Sequence, residues 1–257
     1  MMDQISSPPG VHPAPATSLT GEWRRYAAFL RRPNVPDRAT GPDRRSLLAT
    51  GRLLLLDYAL MAVLMAVGFA AYLAGVEFPE NELESLEWTL GTLALVVAGA
   101  PILEEIMFRG WLSGRLGHVL ASILAVVALS LGGAAAAGAA ISGSAVSPPL
   151  LLGAAALSAL ALALVYWLRH RGPPRWYVRA FPVFFWLSAL GFAAIHIWNY
   201  AGELGPLVFA LVIPQLIAGT IFAYARVSYG LWSAVLLHML HNGTAVALAV
   251  LTTDLMG

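Results

Sequence analysis

Two carboxylates side by side, Glu104 and Glu105, are followed by a guanidinium, Arg109, at the end of an apolar run long enough to cross a bilayer. Ionisable side chains in such a run are costly, and by default they mark a polar cavity or a functional site. Residues four apart share a helix face, so Glu105 and Arg109 are placed to pair, while Glu104 projects about 100° away from Glu105. One carboxylate is thereby neutralised and the other is left for chemistry, as a general base requires. Taken alone, the pair also fits an ordinary polar helix end, since Gly110 and Arg115 follow closely.

Two further clusters stand on apolar runs of their own. Phe192 precedes His196 by four residues, so the phenyl ring can pack over the imidazole and fix its direction; a single core histidine near an aromatic belt (Trp198, Tyr200) is the plain alternative. His238 and Asn242 are again four apart and lie well inside the last run. Both can donate hydrogen bonds, which suits an oxyanion-stabilising pair, and the alternative is hydrogen bonding between helices. His241 could share either role. Three runs that each carry such a face are harder to explain by packing than any one of them.

The elements that must position these residues are membrane helices. The 257 residues are 59% apolar and 11% charged, against about 25% charged in ordinary soluble domains. Apolar runs near 53–75, 90–112, 118–141, 149–168, 181–201, 205–225 and 230–252 each supply the ~20 residues a spanning helix needs. The expected fold is therefore all-α, a polytopic bundle of about seven transmembrane helices. Its surroundings are membrane lipids, the cell (plasma) membrane is the expected location, and no nucleic-acid partner is expected.

All fifteen basic residues are arginine, and their placement sets the topology. Eight lie before the first run, Arg109 and Arg115 after the second, Arg169, Arg171, Arg175 and Arg179 between the fourth and fifth, and Arg226 before the seventh. The opposite joints hold Glu77, Glu80, Glu82, Glu84, Glu87 and Glu203 and no arginine. By the positive-inside rule the N-terminus is cytoplasmic. Residues 1–50 read as a cytoplasmic basic tail, partly disordered, with no cleavable signal in the first 20 residues. Within it, 22–32 interleaves Trp23, Tyr26, Phe29 and Leu30 with four arginines, as an interfacial helix or an ordinary basic flank would. There is no cysteine, so disulfides and thiolate metal sites are excluded.

Glu104-Glu105 with Arg109 (E-E-x-x-x-R), Phe192 with His196 (F-x-x-x-H) and His238 with Asn242 (H-x-x-x-N), in that order, resemble the CAAX-protease and bacteriocin-processing (CPBP/Abi, Rce1-like) family of intramembrane glutamate proteases. Phe108-Arg109-Gly110 and the Gly-Leu-Trp before His238 are similar to the family as well. The resemblance implies an endopeptidase domain over 51–257, acting on a protein or peptide at the membrane. Glu104 and His196 would activate a water, His238 and Asn242 would stabilise the tetrahedral intermediate, and Glu105, Arg109 and Phe192 would support them. No cofactor is expected. The alternatives are zinc held by Glu104, His196 and His238, without the H-E-x-x-H spacing of zinc proteases, and a non-enzymatic immunity or scaffold protein.

The sequence departs from the family in one respect. His196 usually lies one helix beyond the E-E motif, whereas 86 residues follow Arg109 here and hold an inserted helix pair at about 118–168. Two added spans restore the direction of the helix bearing His196. At ~1.5 Å per residue, His238 lies roughly 12 Å from the arginine-bearing end, Glu104 roughly 5 to 15 Å and His196 nearer 20 Å.

Overall fold

A computed structural model describes residues 15–36, 38–81, 86–143, 145–200 and 205–256. The tail before residue 15 and Glu82, Glu84 and Glu203 lie outside the described residues. Among the described residues the chain is helical, without strands, and seven helices are long and apolar enough to cross a membrane. The spans are Arg44–Leu73, Leu90–Ser113, Leu116–Ala139, Pro148–Trp167, Arg175–Asn199, Leu207–Ser228 and Leu231–Leu251. Both the all-α fold and the number of spans agree with the sequence reading.

Helix α1 (Leu19–Arg31) precedes the spans and is capped by Ser18, whose hydroxyl accepts from the Gly21 N–H at 3.1 Å. It begins three residues before the stretch marked by its aromatic and arginine pattern, because Ser18 supplies the cap. Its Tyr26 and Phe29 are buried, Phe29 lying edge-on to Phe185 at 5.2 Å. Glu22 is fully buried and accepts from Tyr224 Oη at 3.0 Å, from Tyr229 Oη and from the Ala16 N–H. Burial pushes the Tyr26 phenol up to about 12, and it bonds Thr220 at 2.6 Å as a neutral group.

Helix α2 (Arg44–Leu73) is capped by Asp43, which accepts from the Ser46 N–H at 2.6 Å; that bond holds the Asp43 carboxyl below its ordinary range. The second span is irregular. It runs through α3 (Leu90–Ala94), a π-turn (Leu95–Gly99), α4 (Ala100–Arg109) and a 3-10 turn (Gly110–Ser113). In the π-turn the Ala100 N–H reaches back to the Leu95 carbonyl. The next donor in that register is Pro101, which has no N–H. The Val96 carbonyl is therefore left for another helix. Gly114, at φ +66°, ends the 3-10 turn beside the Tyr177 ring, where a side chain would collide.

Helices α5 (Leu116–Ser142) and α6 (Pro148–Trp167) pack chiefly on each other. Helix α7 (Arg175–Ile195) leads into a 3-10 turn (His196–Asn199), and the short α8 (Leu207–Leu211) precedes α9 (Ile213–Ser228) and α10 (Leu231–Met256). Helix α9 is central, packed on α7, α10 and α2, and half of its span is buried. Ala218, Gly219, Ala223 and Ala225 allow that close approach, because packing between membrane helices rests on small residues rather than on a hydrophobic driving force.

Candidate active site

Helix α4 delivers Glu104, Glu105 and Arg109 to the centre of the bundle. Arg109 Nη1 donates to Glu105 Oε1 at 2.8 Å, and both side chains are fully buried. The i,i+4 pairing expected from the sequence is present. Arg109 Nη2 also donates to the Gly219 carbonyl of α9 at 3.3 Å. A Cβ on Gly219 would stand 3.1 Å from Arg109 Nη2 and 3.0 Å from the Phe192 ring, so glycine there lets the guanidinium seat.

Phe192 is the hub of the cluster. Its ring centroid lies 3.9 Å from Arg109 Cζ, 4.6 Å from the His196 ring and 5.5 Å from the His238 ring. The guanidinium over the phenyl face is an attractive cation–π contact. The far end of α7 therefore reaches the layer occupied by Arg109 and His238, despite the greater depth expected for His196. Ser188, one turn earlier on α7, donates to the Phe108 carbonyl at 2.7 Å and ties α7 to α4.

His238 lies between the two carboxylates. Its Nδ1 is 3.0 Å from Glu105 Oε1, and its Nε2 is 3.6 Å from Glu104 Oε2. Glu105 is fully buried, whereas the Glu104 side chain is 22% exposed and so the one a substrate or water can reach. His238 also stacks on Phe222 of α9 at 4.8 Å.

In His196, Nδ1 bonds the Phe192 carbonyl at 2.7 Å. A carbonyl and an arginine-paired carboxylate only accept hydrogen bonds, so in both histidines the shared hydrogen sits on Nδ1. Each Nε2 is left for other work. In His196 it has no hydrogen-bond partner among the described residues, and in His238 it faces Glu104.

The imidazole within 4 Å of Glu104 is His238, not His196, because His196 is turned back onto its own helix by the Phe192 carbonyl. Asn242 Nδ2 donates to the Val96 carbonyl at 3.0 Å, the acceptor stranded by the π-turn and Pro101. One N–H of that amide remains for another acceptor.

The sequence reading passed over Asp57. It is fully buried in α2, and its Oδ2 is 2.6 Å from His241 Nδ1. A lone carboxylate within an apolar run was the available signal, by the same reasoning that singled out Glu104. One residue further along α2, Tyr58 Oη bonds Thr244 Oγ1 of α10 at 2.6 Å. Arg226 of α9 was read for topology alone, yet its Nε and Nη2 donate at 3.0 Å to the carbonyls of Arg109 and Gly110. These bonds hold the end of α4 in place. Among the described residues no three His, Asp or Glu side chains are grouped closely enough to hold a metal ion.

A family model described as "Type II CAAX prenyl endopeptidase Rce1-like" matches residues 86–179 and 171–244. The matched region contains α4 through most of α10 and every residue of the cluster except Asp57. No curated protein and no solved structure matches the chain significantly.

Proposed function

Because the chain belongs to the Rce1-like family of type II CAAX prenyl endopeptidases, a family of membrane proteases, we propose that it hydrolyses a peptide bond of a membrane-associated protein or peptide with Glu104 as the base. The observation that carries this reading is the placement of His238, with Nδ1 tied to Glu105 and Nε2 turned toward the accessible Glu104. The Glu105–Arg109 pair sets the imidazole's tautomer and direction, much as a buried carboxylate does for the histidine of a catalytic triad.

Glu104 takes a proton from a water as the water's oxygen adds to the scissile carbonyl carbon. His196 offers its bare Nε2 to the water's second hydrogen and so orients it. The oxyanion accepts from the remaining N–H of Asn242 and from His238 Nε2, which donates only when the ring is doubly protonated. The C–N bond then breaks as Glu104 returns its proton to the departing amine nitrogen. Phe192 and Arg109 act by position, holding the two imidazoles around one ring. The N-terminus and the arginine-bearing ends face the cytoplasm of a cell membrane in this reading.

The test compares new protein termini in membranes containing wild-type protein or Glu104→Ala. A defined set of termini present with wild type and lost with the variant supports a protease. Identical termini in both, or rescue of a deletion phenotype by Glu104→Gln, points to the non-enzymatic role. Once a substrate is known, prenylated and unprenylated peptides compared side by side define the substrate class. Retained cleavage after chelation, with no stoichiometric zinc in the purified protein, is the expected result for metal.

A further inference from the structure

A cavity of about 200 Å³ lies apart from the Glu104 cluster, at the end of the bundle where the arginines collect. It is lined by Val35, Pro36, Arg38, Ala39, Ser113 and Arg115 from the segments flanking the first three spans, and by His118, Arg169, Arg226 and Val227. Four of these are arginines, and no described lining residue is acidic.

Arg226 gives the cavity its chemistry. It is 6% exposed, and its described hydrogen bonds go to the carbonyls of Arg109 and Gly110 at 3.0 Å and to His118 Nδ1 at 3.4 Å. These partners carry no negative charge, and no carboxylate of the described residues lies within ion-pair distance of it. A buried cation without a counter-charge is expensive, and one removed from water is normally paired. Arg38 and Arg169 are exposed and bring two further cations to the rim. Ser113 Oγ, bonded to His118 Nδ1 at 2.7 Å, adds a hydroxyl at the wall.

We propose that this cavity is a binding site for a phosphate-type anion, supplied by the headgroup of an anionic phospholipid or by free phosphate. Planar guanidinium groups match phosphate oxygens in two-point contacts, and several of them lining one open pocket favour that chemistry. The location suits a headgroup. The lining comes from the chain before the first span, the joint between the second and third, the end of the fourth and the end of the sixth, which alternating spans bring to one membrane face. Basic pockets between helices at such a face are where anionic headgroups bind. An occupant would meet the guanidinium that holds the end of α4, and so would brace the helix carrying Glu104.

The test uses the full chain in detergent and in nanodiscs. Native mass spectrometry after exchange into phosphatidylcholine with a fraction of phosphatidylglycerol reads the retained lipid, and thermal stability with inorganic phosphate reads the free anion. One phosphatidylglycerol retained per chain identifies the headgroup; saturable stabilisation by phosphate without retained lipid identifies the free anion. Either affinity should fall about fivefold in each of Arg38→Gln and Arg169→Gln, the effect of one cation beside an anionic headgroup. These rim variants keep the test open if Arg226→Gln fails to fold. No retention and no phosphate effect overturns the proposal, and so does binding that both rim variants leave unchanged.

Discussion

Helices α5–α6 and helices α4, α9 and α10 all belong to apolar spans, yet beyond His118 at the head of α5 they use their polar side chains differently. In α5 and α6, Ser130 donates to Val126 at 2.9 Å, Ser142 to Gly138 at 2.6 Å and Ser158 to Ala154 at 2.8 Å, each four residues back on its own helix. In the central helices the polar groups cross between elements: Arg109 to Gly219, Arg226 to Arg109 and Gly110, Asn242 to Val96, His241 to Asp57 and His238 to Glu105. A bond within one helix satisfies a hydroxyl and fixes nothing else. A bond between helices fixes register, which a catalytic constellation needs to about half an ångström. Burial differs most between α9 and α6, at 50% of the α9 span and 6% of the α6 span.

This contrast predicts a graded series of effects. The largest falls on chemistry alone: Glu104→Ala should lower cleavage by about 10² to 10⁴, with circular dichroism and melting close to wild type because the side chain is partly exposed. Arg109→Leu should act on the fold. It leaves Glu105 buried beside no cation, a loss of about 3–5 kcal/mol, visible as a lower melting temperature in detergent and as poor accumulation in the membrane. Asn242→Ala should cost less stability, about 1–3 kcal/mol for the stranded Val96 carbonyl, measured by the same melts, and should reduce cleavage as well. At the far end of the scale, Leu152→Val and Leu162→Val in α6, on side chains 70% and 73% exposed, should change stability by no more than about 0.5 kcal/mol. Equal sensitivity of α6 and α9 to such conservative changes would erase the distinction.

Much of this division was legible before any coordinates. Helix content and span number follow from apolar length, because a backbone in hydrocarbon must satisfy itself internally. The Glu105–Arg109 pair follows from i,i+4 spacing. Contacts set by irregular backbone were not legible. The π-turn before Pro101 frees the Val96 carbonyl and so gives Asn242 a structural partner, and nothing in the spacing of His238 and Asn242 reveals that. His196 is similar: its distance along α7 suggested a mismatch in depth, whereas side-chain reach from Phe192 and Arg109 closes the gap. Asp57 was readable by the rule applied to Glu104, since it too is a lone carboxylate in an apolar run. It stood outside the three motifs, and its partner His241 lies eight helices further along the chain, in α10.

The central claim is that Glu104, held opposite His238 Nε2, is the base of a peptide hydrolase. Its most direct test is the single-turnover rate of cleavage by purified wild-type and Glu104→Gln protein in vesicles, on a peptide covering the cleavage site found from the membrane termini. The amide keeps the shape and removes the charge. A fall of about 10² or more with unchanged substrate binding is the predicted result, and a folded Glu104→Gln protein that cleaves at the wild-type rate contradicts it.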